Sequence, residues 1–185
     1  MYDVLSKIGS KLNDANVTWA VGASILLSQY GLIDKPNDID LIVHLDDIEV
    51  SDKLLSTLGQ KIPREPSEHY STRHFNEYII NDVEIDVMAG LTIHHAQGEY
   101  TYIFDNKSVV DTKQINGVPI PFTSLEDWYL LYQIIPDRED KVKLIEAYLI
   151  KQGVSHMGVL TRSLHGNLPD KVVDRINKLM KTKER

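Results

Sequence analysis

Cysteine is absent from the 185 residues. Disulfide staples and thiolate metal sites are therefore excluded, and a reducing cytoplasm is the expected location. Long apolar runs are missing too. No stretch approaches the ~18–20 residues that a membrane-spanning helix needs, so no membrane association is expected. The opening residues, MYDVLSKIGSKLNDANV, lack a basic segment followed by an apolar one, and no export signal is expected. Concentrated positive charge is the third absence. Lys and Arg number 20 against 27 Asp and Glu, for a formal charge of −7, and the basic residues are scattered apart from a weak tail, Lys178 to Arg185. A duplex or tRNA ligand asks for a basic face to neutralise its phosphates, so a nucleic-acid substrate is not expected. The histidines, His94-His95 included, show no His-x3-His or comparable spacing and read as surface or hydrogen-bonded side chains.

What is present is ordinary for a folded domain: 42% hydrophobic and 25% charged residues, in a chain long enough to bury a core. Val4, Leu5, Ile8 and Leu12 share one helical face, which predicts a helix from about Tyr2 to Leu12. Val17 to Val21 reads as a buried strand ending at Gly22, and Ala23 to Tyr30 as a helix stopped by Gly31. A second strand spans Asp38 to Leu45, and a short helix Ser51 to Leu58 closes at Gly59. The proline-bearing stretch Lys61 to Thr72 reads as loop. His74 to Ile80 and Val83 to Met88 flank Asn81-Asp82, a two-residue hairpin signal. Further strands are expected at Tyr100 to Phe104, Val109 to Ile115 and Val118 to Phe122, the last two turning at Asn116-Gly117. Ser124 and Asp127 form a capping box opening the helix Leu125 to Ile135, which Pro136 breaks. Helices Asp137 to Lys151 and Leu168 to Lys181 follow. The expected architecture is α/β of the α+β kind. A mixed sheet with helices fills residues 1–122, and a helical region, 123–185, packs on it as one structural unit.

Three local features carry chemistry. In the strand from Asp38 to Leu45, side chains alternate faces, so Ile39, Leu41, Val43 and Leu45 supply a core face while Asp38 and Asp40 share the other. Two carboxylates roughly 6.5–7 Å apart at their α-carbons repel each other. Exposure to water or a bound cation would each offset that repulsion. In the hairpin, a loop at Asn81-Asp82 sets Ile80 opposite Val83, Ile79 opposite Glu84 and Glu77 opposite Asp86. One face is then Asn76, Tyr78, Ile80, Val83, Ile85 and Val87, and the other gathers Glu77, Glu84 and Asp86. Like charges set opposite are destabilising, so this face wants a cation, a neighbouring Arg or Lys such as Arg73, or water. Gly22-Ala23-Ser24 lies where a buried strand meets a helix. Glycine there permits close approach of a ligand, the helix N-terminus points N–H groups at an anion, and Ser24 adds a hydroxyl.

Strand, Gly-Ala-Ser, helix, Asp-Ile-Asp on the next strand, then an acidic residue on a later strand: this order resembles the signature of the nucleotidyltransferase superfamily. The resemblance is tightest from Trp19 to Gly90 and is nearest to compact stand-alone members, the lincosamide and aminoglycoside nucleotidyltransferases among them. Gly117 to Glu126 resembles the strand-to-helix entry that follows the core in such proteins. Position 23 is Ala where a second Gly or Ser is common, and Leu125 to Ile135 has no lysine where many relatives place one.

The resemblance implies a nucleotidyltransferase-type fold and a metal-dependent transfer of a nucleoside monophosphate from a nucleoside triphosphate to a hydroxyl. Asp38, Asp40 and Asp86 would be the catalytic and metal-binding residues, holding two Mg2+ ions. Gly22, Ala23 and Ser24, with Arg138 and Lys141, would bind the nucleotide, and Glu77 and Glu84 would be accessory. The acceptor would be a small hydroxylated molecule or a protein partner. The rival expectation is a binding protein of this fold with little turnover, antitoxin-like, that acts through a partner.

Overall fold

The computed structural model describes residues 1–65 and 67–181. Pro66 of the proline-bearing stretch and residues 182–185 of the basic tail lie outside the described residues. The chain opens with α1 (Tyr2–Asp14), whose Val4, Leu5, Ile8 and Leu12 are buried as their spacing requires. Then come β1 (Trp19–Val21), α2 (Ala23–Gln29) and β2 (Ile39–Val43). A single 3-10 turn leads into α3 (Ile48–Ser56), and β3 (Gln60–Ile62), β4 (His74–Ile80) and β5 (Val83–Ala89) follow. After β6 (Thr92–His95) and β7 (Gly98–Thr101), a second 3-10 turn precedes β8 (Asp111–Ile115) and β9 (Val118–Phe122). The helical end comprises α4 (Leu125–Ile134), α5 (Glu139–Gln152), α6 (Met157–Ser163) and α7 (Asp170–Lys181).

Seven strands form one mixed sheet in the order β3-β4-β5-β2-β1-β9-β8, and β6-β7 make a separate ribbon. Two short-range devices set the register. Asn81 and Asp82 both have positive φ, 48° and 61°, as a tight hairpin turn demands, and they impose the pairs Ile80↔Val83, Ile79↔Glu84 and Glu77↔Asp86. Asn116 and Gly117, at φ 51° and 78°, do the same between β8 and β9. Alternation then does the sorting. Tyr78, Ile80, Ile85 and Val87 go into the core with Ile39, Leu41 and Val43 of the neighbouring strand. Leu45 falls beyond the strand end, in the 3-10 turn, and is only half-buried.

Helix α4 is buried along almost its whole length and runs through the centre of the molecule. Its capping box forms as the sequence predicts: Asp127 N–H donates to Ser124 Oγ (2.9 Å), and Ser124 N–H donates to the Asp127 carboxylate (3.2 Å). The following helices are tied to α4 by polar bonds as well as apolar contact. Buried Glu126 accepts the backbone N–H groups of Ser155 and His156, and Tyr129 donates to Glu146 on α5. Gly22 owes its identity to this packing, because a Cβ there would lie 2.3 Å from the Trp128 indole.

Candidate active site

The site begins with two neighbouring strands. Asp38 immediately precedes β2 and Asp40 lies within it, so strand alternation turns both carboxylates to one face while Ile39 and Leu41 face the core. Parallel pairing of β2 with β5 sets Asp40 in register with Asp86. Oxygen atoms of Asp38, Asp40 and Asp86 all lie within 4.8 Å of one another. One strand further out, antiparallel pairing sets Glu77 opposite Asp86. Four carboxylates thus line up across β2, β5 and β4, although they come from two separated stretches of sequence, β2 and the β4–β5 hairpin.

These groups sit in a cavity of about 250 Å³. Burial, then the charges of Asp38 and Asp86, push the Asp40 carboxyl well above the usual carboxylate range, with Lys141 pulling weakly the other way. Burial and then the Glu77 and Asp38 charges raise Asp86 to about 7, against the pull of Arg64. Crowded, buried carboxylates are costly to ionise, and a bound cation would offset that cost. The donor set is all oxygen and supplies only part of a coordination shell. That fits magnesium, which keeps waters and binds through a few carboxylates plus phosphates.

Cations line the same cavity. Arg138 caps the start of α5, Lys141 lies one turn on, and both line the cavity. The Lys141 ammonium sits 5.0 Å from the Tyr132 ring centroid. Burial, then the Arg138 charge, hold Lys141 below its ordinary pKa, while Asp40 and Asp38 draw it up. Helix α4 has no lysine, and α5 supplies the positive charge instead.

The Gly-Ala-Ser turn is placed beside the acids. Gly22 N–H donates to the Asp40 carbonyl (3.1 Å), and Ser24 Oγ donates to the Asp38 carboxylate (3.1 Å). Gly22 and Ser24 therefore fix the two aspartates from behind, and of the three turn residues Ala23 is the one that lines the cavity. Ala23 has φ 45°, a left-handed conformation that residues with a Cβ seldom adopt. Glu77 lines the cavity and pairs with Arg64 (2.9 Å). Glu84 lies outside it, exposed near the hairpin tip, and reaches Asp86 only through its charge. Arg73 does not line the cavity; Arg64 is the cation the acidic face acquires. Sequence reasoning also passed over Tyr70, Phe75, Trp128 and Tyr132, all of which line the cavity. The Tyr132 hydroxyl is buried with no hydrogen-bond partner among the described residues, on the helix whose capping box was the one local signal available.

A mixed sheet of this strand order, with an Asp-x-Asp on one strand and a third acid in register on its parallel neighbour, is the nucleotidyltransferase fold. Comparison with solved structures agrees. Over 80% of the chain and 92% of its counterpart, it aligns with a candidate nucleotidyltransferase from Thermotoga maritima (TM1012), at a TM-score of 0.59 and 23% identity. It also aligns with ANT(2")-Ia, solved in complex with adenylyl-2"-tobramycin, over 80% of this chain and 88% of that one (TM-score 0.55, 15% identity). The solution structure of the same antibiotic-resistance factor matches over 89% and 92% (TM-score 0.56, 16% identity). No family model matches the sequence, and no curated protein matches it either. At these identities the likeness establishes the fold alone.

Proposed function

We propose that the protein is a metal-dependent nucleotidyltransferase that moves a nucleoside monophosphate from a nucleoside triphosphate to a hydroxyl group. The observation that carries this reading is the convergence of Asp38, Asp40 and Asp86 within 4.8 Å, in a cavity that Arg138 and Lys141 also line. The acids would bind metal and the cations phosphate. That is the division of labour a metal–triphosphate complex requires.

Asp38, Asp40 and Asp86 would hold Mg2+, which when bound polarises the α-phosphate and stabilises the attacking and leaving oxygens. Ser24 and the Gly22 amide keep Asp38 and Asp40 in position. Arg138 and Lys141 neutralise the β- and γ-phosphates. Asp86, on the flank of the cluster towards β4, accepts the proton of the acceptor hydroxyl. The acceptor oxygen forms a bond to the α-phosphorus, the bridging oxygen to the β-phosphorus departs, and pyrophosphate leaves against the cationic wall. ANT(2")-Ia, solved with an adenylylated small molecule, has the same fold, and a small hydroxylated acceptor fits this cavity better than a polymer.

The test is a panel of nucleoside triphosphates with and without Mg2+, followed by thermal shift and pyrophosphate release. Stabilisation that needs nucleotide and metal together is the expected result. A protein indifferent to every such pair would remove the reading.

A further inference from the structure

Towards β4, beside Asp86, the cavity wall changes character. Glu77 stands opposite Asp86 on β4, and Arg64, from the loop after β3, brings its Nε to 2.9 Å from the Glu77 carboxylate. The guanidinium sits over Phe75, its central carbon 3.3 Å from the ring centroid, with the Tyr70 ring 5.7 Å away. Phe75 and Tyr70 meet edge to face at 6.1 Å. A cation held over one ring and ion-paired through Nε with a carboxylate is restrained in position. Among the described residues, neither terminal nitrogen of Arg64 makes a hydrogen bond to the protein, and the residue lines the cavity.

The charges on this flank decide what it accepts. Glu77 is already neutralised by Arg64, and a bound metal would neutralise Asp86. A polycationic acceptor finds no unmatched carboxylate here and meets a guanidinium instead. The donors left over are the terminal nitrogens of Arg64, a planar fork that matches a carboxylate or a phosphate group. Resting on the transfer reaction proposed above, we propose that Arg64 makes the acceptor subsite selective for hydroxyl compounds that carry a carboxylate or phosphate. The overall negative charge of the protein invites the opposite guess, an amino-sugar. The local wall opposes it.

The test uses matched probes on the full chain with Mg2+ and a non-hydrolysable nucleotide. The pairs are glycerol 3-phosphate with glycerol, and 3-hydroxybutyrate with 1,3-butanediol; the aminocyclitol 2-deoxystreptamine serves as the polycation. Equilibrium binding is read by calorimetry or ligand-observed NMR. The anionic member of each pair should bind about tenfold tighter or more, as expected for a hydrogen bond to a charged group. In Arg64→Gln that gap should fall to about twofold or less, with Arg64→Lys retaining part of it. The proposal is overturned if neutral probes or the aminocyclitol bind as well as the anions, if no probe binds, or if the gap survives Arg64→Gln. Nucleotide affinity is measured first in each protein. An unchanged value in Arg64→Gln shows an intact fold and triphosphate site, whereas a matching loss there would make Arg64 a nucleotide ligand and end the acceptor assignment. Absence of metal–nucleotide binding in the wild type would instead sink the transfer reading itself.

Discussion

Two charge clusters in this protein use the same residue types to opposite ends. At the helical end, Arg175 of α7 reaches Glu146 of α5 through Nε and Nη2, both at 2.8 Å, and Glu139 through Nη1 at 3.1 Å. Tyr129 of α4 donates a further bond to Glu146 at 2.7 Å. Arg175, reinforced by Tyr129, pulls Glu146 down to about 2. At the sheet, burial and then neighbouring carboxylates push up both Asp40, next to Asp38 and Asp86, and Asp86, next to Glu77 and Asp38. Complete pairing in one place stabilises the fold, whereas incomplete pairing in the other leaves room for a ligand.

The comparison breaks most visibly on substitution. Asp38→Asn or Asp40→Asn should lower pyrophosphate release by about a thousandfold or more, the scale of losing several kcal/mol of metal stabilisation. Neither should lower the thermal midpoint of the metal-free protein, because each removes a repulsion. Trp19→Ala reverses the pattern. Trp19 is 2% exposed in the core, and its loss should destabilise by about 3–5 kcal/mol, read by denaturant unfolding, with the site chemistry untouched once folded. Arg175→Gln should cost about 1–3 kcal/mol through the carboxylates it abandons, since the network is partly solvated, and should leave nucleotide affinity alone.

The pH dependence separates the clusters by sign. Asp86, raised from 3.8 to about 7, binds its proton more tightly in the folded state. It contributes stability that is fully present below about pH 4 and lost as pH rises through 7. Asp127, buried and raised to about 6, acts in the same sense, so the Asp86 share is the part that disappears in Asp86→Asn. Glu146, lowered from 4.5 to about 2, contributes stability present above pH 4.5 and lost as pH falls towards 2. Unfolding midpoints between pH 2 and 8 should therefore show two separable slopes, with Glu146→Gln flattening the acid limb. The smallest effect expected is that of Ala23→Gly. Relief of the left-handed strain at φ 45° offsets the extra freedom of glycine in the unfolded chain, so stability should move by no more than about 1 kcal/mol.

How much of this the sequence disclosed depended on locality. Asn81-Asp82 fixes the β4–β5 register by simple alternation, so the facing of Glu77 and Asp86 and the burial of Tyr78 and Ile85 could be read directly. The same alternation exposed Asp38 and Asp40. Strand β3 was invisible because Gln60, Lys61 and Ile62 have no apolar alternation and form an edge, held by β4 alone. The β6–β7 ribbon was misplaced. Its strands are Thr92–His95 and Gly98–Thr101, where a single strand at Tyr100 to Phe104 was expected, because the polar pair His94-His95 hides the pattern. Helix α6 is seven residues long, too short for a helical period to declare itself. Arg64 escaped for a tertiary reason. Nothing near Pro63 marks it, and only the pairing of β3 with β4 folds its loop over Phe75.

The most direct test of the central claim is a titration of Mn2+, followed by electron paramagnetic resonance, into the nucleotide-bound wild type, Asp40→Asn, Asp86→Asn and Glu77→Gln proteins. Shared ligation predicts that both aspartate variants lose most of the nucleotide-dependent Mn2+ affinity while Glu77→Gln, whose carboxylate is held by Arg64, keeps it. Equal affinity across all four proteins would show that Asp40 and Asp86 do not meet at a common ion.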